Sequence, residues 1–152
     1  SELQRKTHKD KLYDKVNLLL VVYQILDALG RDYPLMLITK GDLQHQLRKL
    51  KGSGLRDRFQ VIEVVSEKTK AVYREILERH AVHPGAFLMI GNSLRSDILP
   101  ILELGGRAVH LAHELTWDHE ETDIPLEYEG KFESVDSLSK VLEAISRLQK
   151  EE

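Results

Sequence analysis

The chain is 152 residues long, 41% hydrophobic and 31% charged, with 22 basic and 25 acidic residues giving a formal charge of -3. That is the balance of an ordinary globular domain able to bury roughly two thirds of its unfolded surface, and it gives no reason to invoke nucleic acid or an anionic membrane. With no cysteine in the chain, a disulfide framework and thiolate zinc sites are excluded, and the composition suits a reducing cytoplasm.

The first segment, RKTHKDKLYDKVNLLLVVYQILDALGRDYP, is charged up to Lys15 and then carries Leu18, Leu19, Val22, Ile25, Leu26 and Leu29. Spacings of three and four among those positions predict a helix closed by Gly30 and Pro34. Its apolar run from Val16 to Val22 is interrupted by Asn17, is far short of a membrane span and lacks a signal-peptide cleavage site. PLMLITKGD follows, a continuous apolar run of strand length ending in Thr39 and Gly41, which predicts a strand buried on both faces. Asp42 caps a helix running to about Lys51, and Gly52-Ser53-Gly54 ends it. FQVIEVV alternates into a second strand, after which Ser66 opens a helix to about His80 with Ala71, Val72, Ile76 and Leu77 inward. AFLMIG is a third strand, Ser96 to Leu104 a helix stopped by Gly105 and Gly106, and RAVHL a fourth strand. Acidic, irregular sequence runs from His113 to about Glu129, followed by a short strand near Tyr128 to Phe132 and a last helix from about Val135 to Gln149.

Strands alternating with helices predict an α/β, Rossmann-like fold with a mostly parallel sheet and helices on both faces. In such sheets ligands gather beyond the carboxyl ends of the strands. Those ends supply a hydroxyl at Thr39, an ammonium at Lys68, and an amide and a carboxylate at Asn92 and Asp97. Hydroxyl and backbone N–H groups hold phosphate oxygens, a lysine offsets charge on a transferring phosphoryl group, and carboxylate or amide oxygens hold Mg²⁺. Each residue also has an ordinary role: a strand-end Thr forms turns, an exposed Lys is solvated, and an Asp in a first helical turn complements the helix dipole.

Taken in order, these stretches resemble motifs two, three and four of the haloacid dehalogenase (HAD) superfamily. LMLITKGD is similar to its second motif, a hydrophobic strand ending in Thr or Ser. SEKTKAVYREILERHAVHPGAFLMIGNSLRSDI is similar to its third and fourth in one run. The resemblance implies a three-layer Rossmann-like HAD core over residues 21–152, with residues 1–20 a remnant of a helical cap and the return to the core. It implies a phosphatase acting on small phosphorylated metabolites through an Asp nucleophile that becomes an aspartyl-phosphate. Thr39 would bind a phosphoryl oxygen with the N–H groups of Lys40 and Gly41, Lys68 would offset charge, and Asn92 and Asp97 would hold Mg²⁺.

Two departures stand out. The family usually has Asp where this chain has Asn92, which weakens attraction for a hard cation. The Asp-x-Asp of motif one occurs nowhere in the chain, and Asp10 and Asp14 lie in a polar helical segment. The expectation is a C-terminal portion with the first strand and most of the cap missing, inactive by itself. The family places that strand between those bearing motifs two and four, so its loss leaves N–H and C=O groups unpaired at about 1 to 3 kcal/mol each. Either another segment or subunit fills the slot, or PLMLIT and FLMIG close up directly; open edges also favour self-association. The alternative to an enzyme is a non-catalytic HAD-like binding or assembly module.

A second constellation, His110, His113 and His119 in HLAHELTWDHEETD, has no fixed ligand spacing; by the family resemblance, Trp117 would help close the pocket or pack under the loop. The basic KLKGSGLRDR is a solvated surface, its glycines follow a helix and not a strand as a dinucleotide fingerprint would, and His8 belongs to a charged N-terminal face.

Overall fold

A computed structural model of the chain describes residues 24–112 and 123–149. A helix over residues 24–32 (α1) leads to β1, Met36–Lys40. The helix runs through Gly30 and stops at residue 32, between Gly30 and Pro34 where its closure was expected, and Tyr33 N–H still donates to Leu29 O at 2.9 Å. A glycine inside a helix costs about 1 kcal/mol, and burial of Ile25 and Leu29 outweighs it. β1 pairs in parallel with β2, Val61–Val65, from Met36 opposite Val61 to Lys40 opposite Val65. Between them α2, Leu43–Ser53, starts at Asp42, whose carboxylate accepts from His45 N–H at 3.0 Å. It ends at Gly54, whose φ of 75° is the left-handed position that favours a residue without Cβ.

Helix α3 spans Lys70–Arg79 and begins later than expected, because Thr69 and not Ser66 is its cap: the Thr69 hydroxyl accepts from Val72 N–H at 3.3 Å. Residues 66–69 therefore form a loop off the end of β2, and Lys68 rides on it. The buried face of α3 is Tyr73, Ile76 and Leu77, while Ala71, expected inside, is exposed. Next come β3, Leu88–Gly91, a π-helical turn at Leu94–Ile98, α4 at Leu99–Leu104, and β4 at Arg107–Leu111. The fifth strand, β5, begins at Phe132 and runs to Val135, and α5 spans Val141–Gln149. Both start later than the sequence pattern suggests, since tight 3₁₀ turns at Leu126–Tyr128 and Leu138–Lys140 take up the preceding residues.

The fold is α/β with parallel strands, as expected, but the strands form two sheets: β1 with β2, and β3-β4-β5 in that order. Among the described residues β1 and β3 each pair with one strand, so direct closure of PLMLIT onto FLMIG does not occur. The expectation of β1 buried on both faces is corrected too: β1 and β3 are half-buried throughout except for exposed Lys40, whereas β4, flanked on both sides, buries Ala108, Val109 and His110. Alternation along β4 sends Val109 to one face, against Ile25, Leu29, Val135, Val141, Ala144, Ile145 and Leu148. Ala108 goes to the other, against Ile98 and Leu102. Helices thus cover both faces, and each fully buried aliphatic side chain contributes about 1.5–3 kcal/mol.

The proposed cap remnant at residues 1–20 and the loop carrying His113, Trp117 and His119 lie outside the described residues. Among the described residues no helix is long and apolar enough to cross a membrane.

Candidate functional site

The site is built where β3 ends. Gly91 is the last residue of that strand, and a Cβ there would lie 2.4 Å from Asp97 Cβ and 2.6 Å from Asp97 Oδ2. Only glycine lets the chain fold back this closely. Ser93 then caps the turn, its hydroxyl accepting from Ser96 N–H at 3.0 Å. Its carbonyl accepts from both Asp97 N–H at 2.9 Å and Ile98 N–H at 3.2 Å, the second being the five-residue step of a π turn, a geometry that recurs at functional sites. The turn carries Asp97 inward until it is 3% exposed.

Three chain segments then converge on the Asp97 carboxylate. Oδ1 accepts from Lys68 Nζ at 2.9 Å and from the Tyr73 hydroxyl at 3.3 Å, and Oδ2 accepts from Ser93 N–H at 3.1 Å. The Tyr73 hydroxyl also donates to Ser96 O at 2.7 Å. The Lys68 side chain is 23% exposed, so the ion pair is largely out of water, where removal of one partner is costly. Burial, and then the neighbouring Asp97 carboxylate, push the Tyr73 phenol well above its ordinary 10.0, so its hydroxyl stays a donor at physiological pH.

Lys68 and Asp97 are thus in direct contact. Asn92 lies exposed at the start of the same turn. Thr39, half-buried opposite Val64, and Lys40 close β1, whose partner β2 leads into the Lys68 loop. The Gly41 N–H donates to Val65 O at 3.0 Å; in this arrangement it extends the β1–β2 ladder and does not face an anion.

His110, 3% exposed on β4, braces the turn from behind. Its Nε2 lies 3.2 Å from Asn92 O and its Nδ1 2.9 Å from Ser134 Oγ. A carbonyl only accepts, so Nε2 carries a proton. With both ring nitrogens engaged, His110 is a brace and not a ligand in this arrangement. Among the described residues no group of three or more His, Cys, Asp or Glu could hold a metal ion. By chemical type the Asp97 carboxylate and the Asn92 amide are oxygen donors of the kind Mg²⁺ takes alongside several waters and phosphate oxygens.

Sequence reasoning passed over Tyr73, Gly91, Ser93 and His110 as contributors to this site. Tyr73 was detectable in principle, since it stands three and four residues before Ile76 and Leu77 on one helical face.

The α/β fold with parallel strands thus sets Thr39 at the end of one strand and joins the segments after two others through the Lys68–Asp97 pair. No protein-family model and no curated protein matches the chain. Solved structures do. A haloacid dehalogenase-like family hydrolase from Xanthomonas campestris is 37% identical with a TM-score of 0.74, over 84% of this chain and 53% of that one. A HAD phosphatase from Thermococcus onnurineus is 25% identical with a TM-score of 0.59, over 80% of this chain and 55% of that one. The HAD-hydrolase YfnB from Bacillus subtilis, solved with magnesium, is 21% identical with a TM-score of 0.65, over 81% of this chain and 54% of that one. The chain belongs to the haloacid dehalogenase-like hydrolase superfamily. It spans about half the length of these three relatives.

Proposed function

We propose that this chain is the C-terminal part of a cytoplasmic, Mg²⁺-dependent HAD phosphohydrolase of small phosphorylated metabolites. The observation that carries the reading is the Lys68–Asp97 pair, 2.9 Å apart where β2 and β3 end. A preceding segment with the Asp-x-Asp nucleophile would lie as a strand alongside β1 and β3. Thr39, at the end of β1, would bind a phosphoryl oxygen, and Lys68 would offset charge on the nucleophile and phosphate. Asn92 and Asp97 would hold Mg²⁺, which when bound neutralises charge on phosphoryl oxygens. Without a partner strand, the edges of β1 and β3 are where the chain would self-associate.

The neutral amide of Asn92 favours a second reading, a HAD-like binding or assembly module without catalysis. The test compares Mg²⁺-dependent hydrolysis of p-nitrophenyl phosphate by the 152-residue chain and by a longer form carrying an upstream Asp-x-Asp strand. The short chain should be inert, and the long form active and disabled by Asp97→Asn. Turnover by the short chain that survives Lys68→Ala would overturn the mechanism, and an inert long form would favour the binding module.

A further inference from the structure

Of the buried residues of α3, Tyr73, Ile76 and Leu77, only Tyr73 carries a polar side-chain atom, and it is 1% exposed. Its hydroxyl meets two successive residues of the π turn, Ser96 through the backbone carbonyl at 2.7 Å and Asp97 through Oδ1 at 3.3 Å. Both are acceptors, so the one phenolic proton is shared between them. The carbonyl contact has a backbone reason. In a regular α-helix Ser96 O would take the N–H of residue 100, and that residue is Pro100, which has none. Tyr73 supplies the missing donor and is thereby anchored beside Asp97.

We propose that Tyr73 is the positioning residue for Asp97. Anchored on Ser96 O, it holds the carboxylate in one orientation, Oδ1 toward Lys68 and Oδ2 toward the Ser93 amide, before any cation arrives. The consequence for metal binding rests on the phosphohydrolase reading above, whereas the positioning itself does not.

The test is Tyr73→Phe, which removes the hydroxyl and keeps the ring, read by amide hydrogen exchange and by Mg²⁺ titration. Exchange at Ser93 should accelerate about five- to ten-fold while that of Val109 stays unchanged. In the form that binds metal, the Mg²⁺ dissociation constant should rise roughly ten-fold. Pro100→Ala, which restores an N–H for Ser96 O, should not rescue Ser93 in the Tyr73→Phe background. Equal acceleration at Ser93 and Val109, no acceleration at Ser93, or full rescue by Pro100→Ala would each overturn the proposal and leave Tyr73 a carbonyl partner or a core ring. If the unsubstituted protein binds no Mg²⁺ in either form, the phosphohydrolase reading falls, and the Ser93 comparison still decides the role of Tyr73.

Discussion

Adding one methyl group at Gly91 should dislodge the acid at the centre of the site. An alanine Cβ would sit 2.4 Å from Asp97 Cβ, 2.7 Å from Cγ and 2.6 Å from Oδ2, whereas carbon atoms rest at about 3.5 Å or more. Asp97 must therefore retreat by roughly 1 Å, which stretches its bonds to Lys68 (2.9 Å) and Ser93 N–H (3.1 Å) beyond useful range. Overpacking of this kind costs about 1–3 kcal/mol, and weakened bonds to a charged group add about 1–2 kcal/mol. A total near 3 kcal/mol lowers the Tm of a chain this size by roughly 6–12 °C, measurable by circular dichroism. Asp97→Gly removes the atom that Gly91→Ala strikes, so the double variant should be more stable than the sum of the single effects. A Gly91→Ala Tm within about 2 °C of the parent, or strict additivity with Asp97→Gly, would refute the close approach.

Lys68→Ala should cost about 2 kcal/mol, because it leaves Asp97 largely out of water without its cation; Lys68→Ala with Asp97→Asn should cost less than the sum in a urea double-mutant cycle. Glu63 is held below its ordinary 4.5, first by hydrogen bonding from His80 and further by Arg79, with burial opposing. Because its folded-state pKa is the lower one, its contribution to stability is present above about pH 4.5 and is lost as pH falls through the folded value. Glu63→Gln should therefore flatten the acid limb of stability against pH, and an unchanged limb contradicts the pairing. His110→Leu should cost about 1 kcal/mol and shift the amide resonances of Asn92 and Ser93, with His110→Gln, which keeps a donor, recovering part of both; silent resonances would mean that His110 does not brace the turn.

What sequence revealed of this molecule depended on periodicity and residue type. The apolar runs ending at Thr39 and Gly91 and the alternation through Val61–Val65 announced strands, and their order with the intervening helices announced parallel pairing. Lys68 and Asp97 were legible as chemistry-bearing residues because strand ends converge in such folds. Tyr73 was passed over in favour of the more apolar Ala71 and Val72, although its spacing puts it on one helical face with Ile76 and Leu77. The π turn was equally hidden: the five-residue step from Ser93 to Ile98 accompanies the close approach of Gly91 to Asp97, which leaves no mark on hydrophobic periodicity. The start of α3 misled for a related reason, as Ser66 and Thr69 are both good caps and the loop that brings Lys68 to Asp97 lies between them.

The division into two sheets bears on how the site is held. β1 and β3 have no strand between them among the described residues, so alignment of the Thr39 side with the Asp97 side cannot come from a shared ladder there. Side chains cross between the two instead: Ile25, Leu29 and Leu35 pack in one cluster with Leu88, Ile90 and Val109, and Lys68, on the loop after β2, and Tyr73, on α3, both grip Asp97 after β3. These bonds use no backbone group of β1 or β3. The acid and its donors all belong to this chain, so substitutions in that cluster can be read in the 152-residue chain itself.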